Sequence, residues 1–219
     1  MGQEIDLMAK YPRPKRNVEG RSATKTDTDR TLARKFGEEF FDGDRAHGYG
    51  GFNYHPRFWQ PVIPTFQAHW GLTSASSVLD VGCAKGFMMH DFAELIPGIT
   101  VKGLDVSEYA IQNAIEDMRP HLQVADAKSL PYQDKSFDYV ISVTTIHNLD
   151  RIELIQSLQE IERVSRLGSF ITVDAYRNDE EKERMFAWNL TAQTILHVDE
   201  WKELFKDAGY TGDYHWFMP

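Results

Sequence analysis

The sequence predicts an α/β protein with a mostly parallel, doubly wound sheet, helices on both faces and a helical N-terminal extension. Three observations carry this. Residues 78–87 read Val-Leu-Asp-Val-Gly-Cys-Ala-Lys-Gly-Phe, so strand character runs into a glycine, a tight loop, a second glycine and a helical pattern. Strand-like and helix-period segments then alternate from residue 77 to 175. The strand runs are apolar throughout, as expected of strands buried on both faces.

In chain order, residues 1–25 carry Pro12 and Pro14, show neither period and read as an extended arm. A helix is expected from Thr26 or Asp27, with Leu32, Phe36 and Phe40 on one face, ending near Asp42-Gly43. The stretch 45–59 is rich in glycine and aromatics (Tyr49, Phe52, Tyr54, Phe58, Trp59). Exposed aromatics at this density need a surface to bury against. Either they plug the sheet or they close over a ligand, with Tyr49, Tyr54, Arg57 and Trp59 lining the pocket; the second reading is favoured. A helix from Phe58 to Trp70 stops at Gly71. Strands follow at 77–81, 100–105, 122–125, 137–143 and 170–175. Between them lie helices at 86–96, 107–118 (N-cap Ser107) and 151–165, the last ended by Gly168. Residues 178–193 form an extra helix, 199–209 the last one, and 211–218 an edge strand able to support a homodimer.

The loop narrows the ligand. Gly82-x-Ala84-x-Gly86 lacks the third glycine of a dinucleotide site, and Asp80 would repel a pyrophosphate. Asp80 would attract a ligand bearing an ammonium and a sulfonium. Lys85 is read as exposed in the first helical turn, and Cys83 as packing. This stretch resembles motif I of the class I S-adenosylmethionine (SAM)-dependent methyltransferases, with Ala84 in place of the usual middle glycine. The resemblance covers residues 76–175, implies a Rossmann-like core and SAM as cofactor, and implies two antiparallel strands at the C-terminal end, of which one is clear. It divides the chain into 1–72 (arm, helices and aromatic lid) and 73–219 (SAM-binding core).

In such a sheet the ligand lies at the carboxyl ends of the strands. Strand one contributes Asp80, Gly82, Cys83, Ala84 and Gly86. Strand two contributes Asp105, placed to accept both ribose hydroxyls, and Val106. Asp126-Ala127 resembles the family's adenine-binding position, and Thr144 follows strand four. His147 is the candidate base for a hydroxyl acceptor; the alternative is a bond to its neighbouring loop. Tyr176 and Arg177, after strand five, join Tyr54, Arg57 and Trp59 as substrate candidates.

Composition bounds the rest. The net charge of −9 argues against a nucleic-acid substrate. Residues 10–35 hold nine Lys/Arg against three Asp/Glu, leaving −15 on the remainder. That basic arm suits an anionic small molecule or an acidic partner, or is simply solvated. One cysteine fits a reducing cytoplasm. No apolar run approaches the roughly 18 residues of a membrane span, and the polar N-terminus is not a signal peptide. The histidines show no ligand spacing, so no metal is indicated. The expectation is a SAM-dependent methyltransferase acting on a small molecule, with a sugar or nucleotide-linked sugar as one acceptor class. The rivals are an NAD(P)-dependent oxidoreductase and a non-catalytic SAM-binding regulator.

Overall fold

A computed structural model describes residues 2–14, 16–20, 25–50 and 53–219. Phe52 of the aromatic stretch lies outside them. The strands are β1 (Ser77–Val81), β2 (Thr100–Asp105), β3 (Leu122–Val124), β4 (Phe137–Val143), β5 (Ser165–Tyr176), β6 (Leu196–His197) and β7 (Asp213–Phe217). The helices are α1 (Asp27–Ala33), α2 (Glu38–Phe41), α3 (Ile63–Trp70), α4 (Phe87–Leu95), α5 (Glu108–Gln112), α6 (Arg151–Val164), α7 (Asp179–Trp188) and α8 (Val198–Ala208). The sheet order is β3-β2-β1-β4-β5-β6, with β7 also paired to β5. The order reverses between β1 and β4, which puts the switch point at the glycine loop. One apolar layer packs α6 and α8 (Leu154, Leu158, Trp201, Phe205) against the sheet. The other packs α3 and α4 (Ile63, Phe66, Met89, Phe92) against its opposite face.

Several expectations change. The helix expected over 26–42 is two helices. Thr26 caps the first through a reciprocal box with Asp29, and Phe36, at φ 49°, breaks the chain before Gly37 restarts it. The helix expected at 107–118 stops at Gln112. Gly168 lies within β5, not at the end of α6, where the pairing with β4 shifts register. Every strand pairing is parallel among the described residues. The antiparallel pair implied by the resemblance is therefore not formed there.

Nor is β7 a free edge. The Ile5 N–H donates to the Tyr214 carbonyl at 2.9 Å, and the Tyr214 N–H to Gln3 at 3.1 Å. Leu7 and Met8 are buried in the α3–α4 layer beside Val62 and Phe66. Burial stabilises such side chains by roughly 1.5–3 kcal/mol each. Residues 3–8 are thus part of the sheet and its core, and the edge-pairing argument for a homodimer no longer holds. No helix is long and apolar enough to cross a membrane, among the described residues.

Candidate active site

After β1 the chain turns through Gly82, Ala84 and Gly86, all with positive φ (88°, 50° and 79°). A left-handed backbone costs a non-glycine residue roughly 1–2 kcal/mol. Ala84 is held there by its N–H, which donates to Asp105 Oδ2 at 2.9 Å. The other Asp105 oxygen accepts the Ser107 N–H at 2.9 Å. Asp105 therefore ties the end of β2 to the loop, and each oxygen keeps a further lone pair for a ribose hydroxyl. A Cβ on Gly82 would lie 2.1 Å from Thr145 Oγ1, so the turn has room only for glycine.

Val106, next to Asp105, is 57 % exposed. Asp126, after β3, accepts the Lys128 N–H at 3.0 Å and lies 3.3 Å from Lys128 Nζ; Ala127 packs on the α6 side of the core. An exposed apolar side chain near two strand-end carboxylates is chemistry that fits an adenosine. An open cleft of about 460 Å³ separates Val106–Tyr109 from Lys35–Gly37 of the extension. Asp80 is buried at the end of β1, and burial together with Asp105 pushes its pKa up to about 8. Burial and the same two carboxylates raise the Cys83 thiol, which leaves it a packing residue. Thr144 is a second strained position, at φ 50°; its N–H donates to Thr172.

The extension is latched to this loop. Lys85 is buried, and its Nζ meets Asp42 Oδ1 at 2.6 Å and Oδ2 at 2.8 Å. The Tyr109 hydroxyl donates to the same carboxylate at 2.7 Å. Lys85 is thus neither exposed nor helical, which corrects the sequence expectation. Phe36, Phe40, Phe41 and Tyr49 pack around Ala84 and Leu190 in one apolar cluster.

His147 does not fit the base role. Its Nδ1 accepts the Asp174 N–H at 3.1 Å, so the proton sits on Nε2 and no lone pair is free. Burial holds its pKa down near 3. Asp174, also buried, is pushed up to about 8 by burial, against a smaller downward pull from Arg16. The Oδ1–Nδ1 separation of 3.6 Å has the length of an ion pair, but both shifts favour neutral partners, and a neutral pair is the physical reading for two groups this deeply buried. Arg16 stacks over Trp188 at 4.7 Å and Phe217 at 4.8 Å. Burial and Asp174 raise the Tyr49 hydroxyl, which accepts the Leu190 N–H at 2.9 Å.

The other substrate candidates have partners of their own. Tyr54 donates to Asp91 Oδ1 at 2.8 Å and packs on Phe87 and His90 of α4. Arg57 is exposed and lies over Phe58. Trp59 packs on Tyr11 in the α3–α4 layer. Tyr176 packs on His197, and the exposed Arg177 pairs with Glu181 at 3.6 Å. Three of the arm's cations are also committed. Lys25 Nζ donates to the Ala187, Trp188 and Asn189 carbonyls, Arg30 to Asn189 and Arg34 to Thr191. Arg16, Trp188 and Asp42 were missed, because each acquires its role from a partner distant in sequence.

Comparison with known proteins bears on the family. The methyltransferase-domain family matches residues 72–209. The chain is 28 % identical over 152 residues to the 27-O-demethylrifamycin SV methyltransferase of Amycolatopsis mediterranei, covering 63 % of this chain and 55 % of that one. It is 26 % identical over 131 residues to the malonyl-[acyl-carrier protein] O-methyltransferase of Legionella pneumophila, covering 58 % and 45 %. The chain spans about half the length of these curated relatives. Among solved structures, a putative methyltransferase from an antibiotic biosynthesis pathway of Anabaena variabilis is similar at 25 % identity and TM-score 0.53, covering 67 % and 60 %. A putative methyltransferase in complex with the Haloferax volcanii Trm112 activator shares the fold, at 24 % identity and TM-score 0.51, covering 65 % and 64 %.

Proposed function

We propose, from the premise that the chain belongs to the methyltransferase-domain family of class I SAM-dependent enzymes, that it transfers a methyl group from SAM to an oxygen of a small-molecule acceptor. The observation that carries this is Asp105, fixed by two backbone N–H groups with lone pairs to spare, beside a loop forced left-handed at Ala84. Gly82, Gly86, Val106 and Asp126 complete the proposed cofactor site. SAM supplies an electrophilic methyl on a sulfonium, and the protein has to hold an acceptor in line with it. Buried Asp80 favours that cation. The oxygen acceptor is suggested by the names of the rifamycin and malonyl relatives. The charge argument for a nucleotide-linked sugar weakens, since Lys25, Arg30 and Arg34 are spent on backbone carbonyls.

For the acceptor's proton we favour Asp174 over His147. The neutral form of Asp174 prevails in the ligand-free protein, but a pKa of about 8 leaves roughly a tenth of it ionised at neutral pH, and that form is the base. Asp174 lies at the β5 end with Arg16 and Tyr49. The acceptor oxygen would gain the methyl, Asp174 its proton, and the sulfur its bonding pair.

Calorimetric titration with S-adenosylhomocysteine tests the cofactor site. Micromolar affinity is expected, weakened about 100-fold in Asp105→Asn, as loss of about 3 kcal/mol of charge-assisted bonding requires. Unchanged affinity in the variant would remove Asp105 from the site. Asp174→Asn should bind S-adenosylhomocysteine as before yet turn over an oxygen acceptor at least about 100-fold more slowly. Equal loss in His147→Gln alone would restore the base role to His147.

A further inference from the structure

The reading above leaves unused a group of ionisable residues on α4. His90, Asp91 and Glu94 each offer a ligand atom, and these atoms all lie within 4.8 Å of one another. His90 Nε2 and Glu94 Oε2 are 3.3 Å apart. That is the edge of a tetrahedron around an ion with bonds of about 2.0 Å. The other ring nitrogen, Nδ1, lies 2.6 Å from Asp117 Oδ2. A carboxylate behind the imidazole is how proteins orient a metal-bound histidine and fix which nitrogen faces the ion.

Asp91 adds an independent observation. It is 0 % exposed. Its Oδ1 accepts the Tyr54 hydroxyl, while Oδ2 is buried without a hydrogen-bond partner. A buried carboxylate oxygen left unpaired is costly, and such an atom calls for an explanation, an ion among them. Among the described residues His90 is the one basic side chain within ion-pair distance of Glu94 or Asp117, and Asp91 has none. Three carboxylates around one imidazole leave a surplus of negative charge that a divalent cation would offset.

We propose that His90, Asp91 and Glu94 bind a divalent transition-metal ion. One imidazole nitrogen with two carboxylates suits Zn²⁺, whereas Mg²⁺ and Ca²⁺ prefer all-oxygen sets. Glu94 is more than half exposed, so the remaining coordination positions face water. Through Asp91 and Tyr54 the ion fastens the segment that leads out of the aromatic stretch onto α4, at the first turns after the glycine loop.

The test is a zinc titration of the chelator-stripped full chain against a chromophoric chelator, with melting curves alongside. One equivalent should bind at micromolar dissociation constant or tighter. His90→Ala and Glu94→Gln, both on solvent-accessible positions, should each weaken it at least tenfold. The melting temperature should rise with zinc in the unaltered protein, as linkage requires, and stay put with millimolar Mg²⁺. Binding weaker than about 100 μM would overturn the proposal, as would zinc affinity unmoved by either substitution, or Mg²⁺ acting equally well. None of these readouts uses methyl transfer, so the site stands or falls apart from the cofactor reading.

Discussion

The glycine loop and the N-terminal extension meet at Lys85 and Asp42, yet they are held in place by opposite means. The loop is built from neighbours along one local unit, strand, turn and helix, with Asp105 bracing it from the next strand. Before α3 the extension holds two short helices, α1 and α2, and little other regular structure among the described residues. It is fixed by partners far along the chain: Ile5 on Tyr214, Lys25 on the end of α7, Tyr49 on Leu190, Asp42 on Lys85. The difference teaches that a segment with little periodicity, such as residues 2–14, can still be structural when its backbone and side chains are satisfied elsewhere.

Three experiments would break or sharpen this contrast. The largest effect is expected from Leu7→Ala, which empties a fully buried position in the α3–α4 layer. Loss of about 3 kcal/mol in chemical denaturation is the expected cost of such a cavity; a change below about 0.5 kcal/mol would return residues 2–8 to the status of a loose arm. Next comes the latch. Asp42→Ala leaves the Lys85 ammonium buried and unpaired, at a cost of about 2 kcal/mol. Lys85→Met leaves only a partly exposed carboxylate behind and should cost clearly less. Equal effects would mean that the latch is an ordinary surface pair.

The last experiment is a pH profile. Asp80 and Asp174 have folded pKa values near 8, above the ordinary carboxyl value, so their contribution is complete below about pH 4 and is lost as pH rises toward 8. His147, held near 3, acts the other way: its contribution is complete above pH 6.5 and is lost as pH falls toward 3. Between pH 6.5 and 8 only the carboxyls matter, and ligand-free stability should fall by up to about 1.4 kcal/mol per pH unit for each. Melting curves of Asp80→Asn and Asp174→Asn should show flatter slopes. A slope intact in both would trace to the extension instead. A cation bound near Asp80 reverses the sense, so SAM affinity should rise with pH.

The same contrast explains what was legible. Residues 76–175 announce themselves because each strand run and helix face carries its own period, and because Asp80, Gly82 and Asp105 fall where strand ends must be. Lys85 was misread because nothing near it in sequence reveals Asp42. Arg57, Trp59 and Arg177 looked like pocket residues by composition, but their partners are Phe58, Tyr11 and Glu181. His90-x-x-x-Glu94 does not stand out in the sequence, since a mixed nitrogen and carboxylate set has no signature comparable to histidine or cysteine spacings. His147 was placed correctly at the end of β4, but the orientation of its ring depends on the backbone of β5.

The pairing of Ile5 with Tyr214 bears on how the molecule is made. Residues 3–8 are synthesised about 210 residues before their partners in β7. Leu7 and Met8 wait for the α3–α4 layer, and the ladder at Tyr214 closes only once β7 has been made. Contacts so distant in sequence form late and slow the search for the native state. Until then the nascent chain carries an apolar, unpaired segment at Leu7 and Met8, the kind that chaperones capture.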